Sequence, residues 1–302
     1  MSRPISARLD WSALRHNFSV VRRHAGAAKI WSVLKADAYG HGLESAARAL
    51  RDLADGFALV ELEGAMALRD AGIPHPVLML EGPYRADEWP LYGELELTPV
   101  LHTSWQVDAL IDARLPVRLP VYLKLNTGMN RLGFDGGEFA QVLDRLVAAD
   151  CVASVTLMTH FADADEERGI EWQLERFRAM ADGRELPASV ANSAALLRFP
   201  DEVGDWVRPG IMLYGSSPFP AMKSAAELDL RPVMTLQSEL IAVRTLAAGD
   251  SVGYGQFLRR YLRQDVARRV VNVPADDSWR LPPELLDGLD PDPHLPPRRL
   301  GA

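Results

Sequence analysis

The chain has 302 residues, of which 48% are hydrophobic and 25% are charged, and its formal net charge is -8 with a pI of about 5.4. This composition is ordinary for a globular protein, and the length accommodates one large domain and a smaller one. No basic stripe favours nucleic acid as a partner. No apolar run approaches the roughly 20 residues that cross a bilayer, so no membrane partner is expected.

Cys151 is the only cysteine, which excludes an intrachain disulfide and a cysteine-based metal site. The first ten residues lack the apolar core of a signal peptide. We therefore expect a cytoplasmic protein without a metal site.

The first 220 residues alternate between strand-like and helix-like patterns. An amphipathic helix is predicted over residues 10–23, because Leu14, Phe18 and Val21 recur at helical spacing. Eight strands are then predicted over residues 30–35, 57–60, 77–80, 97–101, 119–126, 152–159, 188–192 and 207–213. Helices are predicted between most of them, over residues 43–53, 61–71, 104–114, 137–149, 166–181 and 193–199.

Eight strands with intervening helices predict an α/β fold of the (β/α)8 barrel type. An open doubly wound sheet is the alternative, but no Gly-x-Gly-x-x-Gly motif follows a strand to support it. The pattern changes near residues 221–230, and residues 233–244 alternate as strands do. We therefore expect a barrel domain over residues 1–228 and an incomplete C-terminal β domain over residues 229–302.

The last 46 residues have a different composition. Residues 257–302 contain seven prolines and eight arginines but no lysine. A core strand does not tolerate this density of proline, so the segment is expected to be mostly irregular.

Lys35 stands at the end of the first predicted barrel strand. It is one of only four lysines, and a turn, Gly40-His41-Gly42, follows it. A lysine that is partly desolvated at a strand end is a usable amine nucleophile. The alternative is a lysine whose ammonium extends from the strand end into water.

Six motifs extend from this position to residue 255. They are residues 30–42 (IWSVLKADAYGHG), 122–134 (YLKLNTGMNRLGF), 158–165 (MTHFADAD), 191–195 (ANSAA), 207–215 (VRPGIMLYG) and 252–255 (VGYG). In this order they resemble the motifs of the alanine racemase family, over residues 5 to about 256. The resemblance implies a barrel that binds pyridoxal 5′-phosphate (PLP), followed by a β domain.

The resemblance also implies two catalytic bases. Lys35 would carry the cofactor and act on the D side of the substrate Cα, and Tyr254 would act on the L side. In the family this tyrosine comes from the second domain of the partner subunit. The chain is therefore expected to form a homodimer with shared active sites.

The other implied residues hold the cofactor and substrate. The PLP phosphate would contact Tyr39, Ser193, Gly210 and the N–H of Ile211. His160 would stack on the pyridine ring, and Arg208 would face its nitrogen.

Arg131 would bind the phenolic oxygen of PLP and the substrate carboxylate. Lys124 matches a lysine that is carbamylated in some family members, although an ordinary strand lysine is the alternative. Asn126 stands where the family more frequently has aspartate.

The expected function is therefore PLP-dependent interconversion of L- and D-alanine, which supplies D-alanine for peptidoglycan. A racemase for arginine, serine or lysine is an alternative within the same class. A non-catalytic PLP-binding barrel is an alternative from a different class.

After residue 256 the further motifs of the family are absent from the sequence. The strong bias of arginine over lysine indicates GC-rich coding, in which an out-of-frame segment reads as arginine- and proline-rich. We therefore expect a truncated or frameshifted C-terminus, with Tyr254 poorly positioned and racemase activity impaired.

Overall fold

The computed structural model describes residues 4–181 and 183–239 of the chain. The strands are β1 (Ser6–Leu9), β2 (Lys29–Val33), β3 (Gly56–Leu59), β4 (Val77–Met79), β5 (Leu97–Leu101), β6 (Leu119–Lys124), β7 (Val152–Met158), β8 (Ala188–Ser189), β9 (Trp206–Val207) and β10 (Met234–Gln237). The helical segments are α1 (Trp11–Ala25), α2 (Lys35–Gly40), α3 (Leu43–Leu50), α4 (Leu62–Asp70), α5 (Trp89–Glu94), α6 (Ser104–Asp112), α7 (Gly136–Ala148), α8 (Glu171–Ala181) and α9 (Ser193–Arg198).

Strands β2 to β9 form one parallel sheet with the order β8-β7-β6-β5-β4-β3-β2-β9. The two ends of this order meet, because the Arg208 N–H donates to the Ala191 carbonyl at 2.9 Å and the Asp205 N–H donates to the Ala188 carbonyl at 2.8 Å. The sheet is thus closed into a barrel with helices outside it. This confirms the predicted (β/α)8 barrel.

The barrel strands are buried on both faces, which explains their continuous apolar sequences. One set of side chains fills the barrel interior: Trp31, Val33, Ala58, Leu78, Val100, Tyr122 and Met158. The larger core lies between the strands and the helices. There the predicted apolar face of α1 is buried, with Leu14, Phe18 and Val21 at most 3% exposed.

Several element boundaries differ from prediction for identifiable reasons. The helix predicted from residue 166 begins at Glu171, because Gly169 has a positive φ of 67° that ends a preceding turn. Helix α5 has no counterpart among the predicted helices, and it contains Pro90. The proline lies in the first turn, where its missing N–H costs nothing.

The predicted strand over residues 207–213 is wrong for most of its length. Strand β9 ends at Val207, and residues Ile211–Tyr214 form a 3₁₀ helix instead. Pro209 has no N–H for a strand ladder. Gly210 then turns the chain with φ -117° and ψ -92°. Ile211 is therefore the first residue of a short helix and not part of a strand.

Strands β1 and β10 form a separate two-stranded sheet. Residues Leu9–Thr235 form one compact unit that contains the whole barrel. The extended segment predicted from residue 233 is confirmed as far as Gln237. The predicted domain boundary near residue 229 stays a prediction, and both Tyr254 and the predicted irregular segment 257–302 lie outside the described residues.

Helix lengths and compositions in the described ranges bear on membrane association. In residues 4–181 and 183–239, no helix combines the length and the apolar character needed to cross a bilayer.

The packing of the barrel interior can be tested at Gly56. A Cβ there would overlap the indole of Trp31, which is fixed by stacking on Trp206 at 4.3 Å and by donating to the Tyr122 hydroxyl at 2.8 Å. We expect Gly56→Ala to lower the free energy of unfolding by about 1–3 kcal/mol through overpacking. Urea unfolding measures this.

The matched control is Gly137→Ala in α7, where a Cβ meets open space. This substitution should leave the free energy of unfolding unchanged or raise it by up to about 1 kcal/mol, because alanine is the better helix former. Equal stability of Gly56→Ala and the parent chain would contradict the described packing of Trp31.

Candidate active site

A cavity of about 470 Å³ lies at the C-terminal ends of the barrel strands. Its size is typical of a small-molecule site, and this end of the barrel carries the active site in enzymes of this fold. Every predicted site residue that the structure describes lines it: Lys35, Tyr39, Lys124, Arg131, His160, Ser193, Arg208, Gly210 and Ile211.

These residues converge because they follow the ends of parallel strands. Lys35 comes two residues after β2, Lys124 is the last residue of β6, and His160 comes two residues after β7. Arg208 directly follows β9. Parallel strands in a barrel end at the same rim, so residues distant in sequence meet at one opening.

The segment after Lys35 has an unusual backbone. Four consecutive residues, 36–39, have φ between 52° and 55° and ψ between 36° and 53°, which is a left-handed turn built without glycine. This conformation costs roughly 1–2 kcal/mol per residue. Hydrogen bonds offset the cost: Asp37 accepts from the Gly42 N–H at 2.9 Å and, through its carboxylate, from the Leu43 N–H at 2.7 Å. The turn brings Tyr39 to the cavity beside Lys35.

Tyr39, Ser193 and Gly210 meet on one side of the cavity. The buried Ser193 hydroxyl accepts a hydrogen bond from the Gly210 N–H at 2.9 Å. An added Cβ at Gly210 would lie 2.5 Å from the Tyr39 hydroxyl oxygen, so only glycine leaves that hydroxyl its present place. Burial raises the pKa of Tyr39, which keeps the phenol protonated as a hydrogen-bond donor.

Ser193 does not cap the helix that it begins. Asn192 is the N-cap of α9, and its side chain accepts from the Ala195 N–H at 2.9 Å. The Ser193 hydroxyl therefore faces Gly210 and the cavity.

Arg208 is the most deeply held cation of the site, with 4% of its surface exposed. Its Nη1 donates to the carbonyl and the hydroxyl of Ser189, both at 2.7 Å, and its Nη2 donates to the Thr159 carbonyl at 2.6 Å. These partners are neutral, in contrast to a structural ion pair. Burial lowers the pKa of Arg208 to about 10, so the guanidinium stays charged at neutral pH.

His160 lies against this guanidinium. Its Nδ1 is 3.5 Å from Nη2 of Arg208. Burial, together with the charges of Arg208 and Lys124, lowers the pKa of His160 well below its ordinary value. The imidazole is therefore neutral at pH 7 and presents an uncharged ring to the cavity.

Lys124 is a buried amine, with 6% of its surface exposed. Desolvation and the nearby charges of Arg208 and Arg131 lower its pKa from 10.5 to about 8. An appreciable fraction of this amine is neutral near neutral pH, and only the neutral amine reacts with electrophiles.

The charges around the cavity are mostly positive. Among the described residues that line it, Lys35, Lys124, Arg131 and Arg208 are cationic, whereas Glu81 and Asp165 are the carboxylates. The Glu81 carboxylate also accepts a hydrogen bond from the Tyr84 hydroxyl at 2.7 Å. A site with this balance favours a ligand that carries several negative charges.

PLP fits this site on the chemistry of its lining. The Tyr39 hydroxyl, Ser193 and the Gly210 turn suit a phosphate, and Arg208 with the neutral His160 suits an aromatic nitrogen heterocycle. Lys35 supplies an amine for an aldehyde. By contrast, no cluster of three or more metal-ligating side chains occurs in the described ranges.

The sequence did not predict a buried polar network that lies behind the cavity. Gln173 of α8 is fully buried, and its Oε1 accepts from the Ala162 N–H at 2.6 Å. Its Nε2 donates to the Thr127 hydroxyl at 3.0 Å and to the His160 carbonyl at 3.2 Å. The Thr127 hydroxyl is in turn 2.7 Å from that of Thr159.

This network joins the loop that carries Arg131 to the segment that carries His160. No sequence signal identifies Gln173, because a polar residue in a helix is usually exposed. Glu81 was also missed, but its place directly after a predicted strand would have found it.

The lowered pKa of Lys124 generates a pH-dependent prediction. Well below pH 8 the lysine is protonated in both the folded and unfolded chains, so burial of its charge opposes folding. Between about pH 8 and 10.5 the folded chain loses the proton first, so stability rises with pH. Relative to the parent chain, Lys124→Met should be more stable below pH 8, by an amount on the order of 3 kcal/mol, and this advantage should disappear towards pH 10.5.

Urea unfolding in carbonate-free buffer without cofactor measures this difference across the pH range. Lys223→Met, at an exposed lysine, is the control and should change stability little. A Lys124→Met advantage that does not vary with pH would contradict the assignment.

The network around Gln173 generates a second prediction. Gln173→Glu conserves shape but removes both Nε2 donors and places a carboxylate oxygen against the His160 carbonyl. We expect the free energy of unfolding at pH 7 to fall by at least about 2 kcal/mol. Gln141→Glu, at an exposed position of α7, should stay within about 0.5 kcal/mol of the parent. Similar effects of the two substitutions would show that the network does not stabilise the fold.

Comparison with known proteins agrees with this geometry. A family model described as alanine racemase, N-terminal domain, matches residues 9–218. The alanine racemase of Nitrosospira multiformis is 50% identical over 262 residues, which cover 86% of this chain and 73% of that protein. That of Thiobacillus denitrificans is 54% identical over 257 residues, which cover 85% of this chain and 70% of that protein.

Among solved structures, the biosynthetic alanine racemase of Pseudomonas aeruginosa matches with a TM-score of 0.81 and 44% identity, over 84% of this chain and 71% of that one. The match thus extends over the barrel and most of each relative's length. The chain belongs to the alanine racemase family of PLP-dependent amino-acid isomerases.

Proposed function

We propose that this chain interconverts L-alanine and D-alanine by a two-base mechanism, as a cytoplasmic homodimer that supplies D-alanine for peptidoglycan. The observation that carries the proposal is that one cavity at the barrel rim brings the predicted residues together. It collects every described residue to which the family resemblance gives a role.

PLP, when bound, withdraws electrons from an amino acid joined to it and so acidifies the Cα–H. The protein must hold the cofactor, place the Cα between two bases and keep other reactions slow. We assign the holding of the cofactor to two groups of residues that line the cavity. Tyr39, Ser193, Gly210 and the N–H of Ile211 bind the phosphate, and His160 with Arg208 holds the ring.

Lys35 is the base for the D side of Cα. Its amine would hold the cofactor before substrate binds and, once the substrate amine has taken its place, would be free to accept or return the proton at Cα. Tyr254 of the partner subunit is the base for the other side, because racemisation requires removal of a proton from one face and its return on the opposite face. A homodimer with shared sites follows from this assignment.

Arg131 orients the substrate by its carboxylate and contacts the phenolic oxygen of the cofactor. A guanidinium presents two parallel N–H donors, which suits a carboxylate. Carbamylation of Lys124 would replace a cation beside Arg131 with an anion. The neutral amine that this reaction needs is favoured by a pKa of about 8.

Arg208 controls the reaction type. With a pKa of about 10, the guanidinium donates hydrogen bonds but has no acidic proton to give at neutral pH. Arg208 would therefore leave the pyridine nitrogen of bound PLP unprotonated, which would limit electron withdrawal into the ring. This favours prompt return of the proton over side reactions such as transamination.

The test of this function begins with the cofactor bond. Borohydride treatment of the PLP-loaded chain, followed by peptide mass spectrometry, should locate a pyridoxyl adduct at Lys35. Lys35→Ala should lose the adduct and lower the racemisation rate by at least about 10³-fold, since nucleophile and base are both removed. An adduct at another lysine would contradict the assignment.

A second variant separates an enzyme from a non-catalytic PLP-binding protein. Tyr254→Phe should abolish conversion of L- to D-alanine while leaving the absorbance of bound PLP unchanged.

Parallel assays with arginine, serine and lysine test the alternative substrates. If the parent chain turns over neither alanine nor any of these three amino acids, it is a PLP-binding protein only. The impaired activity expected from residues 257–302 stays a prediction that the same assay measures.

A further inference from the structure

The loop that carries Arg131 connects β6 to α7 and returns to its own start. The Asn126 N–H donates to the Phe134 carbonyl at 2.9 Å, and the Phe134 N–H donates to the Lys124 carbonyl at 2.8 Å. Between these bonds three residues have a positive φ: 131° at Gly128, 57° at Asn130 and 121° at Gly133, of which only Asn130 carries a side chain that makes this conformation unfavourable. Asn130 directly precedes Arg131, so its conformation sets the direction in which Arg131 leaves the loop.

One side chain holds the inside of this loop. Oδ1 of Asn126 accepts from the Gly128 N–H at 3.2 Å and from the Asn130 N–H at 3.0 Å. Its Nδ2 donates to Asn130 Oδ1 at 3.1 Å and to Asp135 Oδ1 at 3.0 Å. The orientation of the amide is unambiguous, because the two backbone N–H groups require an acceptor and the Asp135 carboxylate requires a donor.

Asp135 is committed to this contact. It is the N-cap residue of α7, a position where aspartate usually accepts from the first backbone N–H groups of the helix. Here the side chain makes no such cap bond. The carboxylate instead accepts from Asn126.

We infer that Asn126 and Asp135 are a matched pair that positions Arg131 for binding of the substrate carboxylate. A carboxylate at residue 126, the more frequent choice in the family, accepts the same two backbone N–H groups but cannot donate to Asp135. It places two like charges about 3 Å apart, which opens the loop. The amide at residue 126 is therefore required by the aspartate at residue 135. This inference rests on the proposed role of Arg131.

A double-mutant cycle tests the pair in the PLP-loaded, full-length chain. The ligand probe is propionate, which has the carboxylate of alanine but no amine to react with the cofactor. Its dissociation constant is read from the absorbance of bound PLP, and amide hydrogen exchange of residues 126–134 is measured on the same four proteins without cofactor.

Asn126→Asp should weaken propionate binding about tenfold and speed exchange of the Gly128 and Asn130 amides. Asp135→Asn alone should change both readouts less than about twofold, because an amide oxygen still accepts from Asn126. The double variant should return both readouts to near the parent values. For L-alanine, the same cycle should move KM by the same factor and kcat by less.

Additive effects of the two substitutions on propionate binding would overturn the inference. So would a rescue of hydrogen exchange without rescue of binding, which would make the pair structural only. A chain that shows the predicted cycle but no racemisation would refute the proposed function and leave the positioning pair intact.

Discussion

The buried guanidinium of Arg208 makes the hydrogen bonds on which both the fold and the site depend. Arg208 directly follows β9. Its guanidinium donates to the Thr159 carbonyl, just after β7, and to the Ser189 carbonyl in β8, so it links β9 to both strands across the closure of the barrel. The same group lines the cavity and lies against His160. Its neutral partners accept hydrogen bonds from Nη1 and Nη2 without cancelling its charge.

That uncancelled charge determines the electrostatics of the cavity. Desolvation, and after it this charge, lowers the pKa values of Lys124 and His160, so the site holds a partly neutral amine and a neutral imidazole close to a permanent cation. Such an arrangement is unfavourable when empty and becomes favourable when a ligand brings negative charge. A phosphorylated cofactor and a substrate carboxylate would supply that negative charge. The structure is therefore best understood as one half of a charge-complementary complex.

The sequence predicts the barrel and most of the site because both depend on one regularity. Apolar runs mark the strands, and the residues at their ends meet at one rim, which is why Lys35 and His160 lie where the predicted strand ends place them. Arg208 falls inside the wrongly predicted strand 207–213, and only the resemblance to the family motif points to it. Features that depend on exact backbone torsion were missed. The left-handed turn at residues 36–39 contains no glycine that would predict it. Residues 207–213 have a strand-like sequence, but the backbone torsion at Gly210 turns the chain. The Asn126–Asp135 contact joins side chains that only the loop conformation brings together.

In the proposed function, the charged guanidinium of Arg208, which has no acidic proton to give, faces the cofactor ring. ¹⁵N NMR of PLP labelled at the pyridine nitrogen and bound to the chain tests it most directly. The expected signal at neutral pH is that of an unprotonated, hydrogen-bonded pyridine nitrogen. The signal of a protonated pyridinium would contradict it.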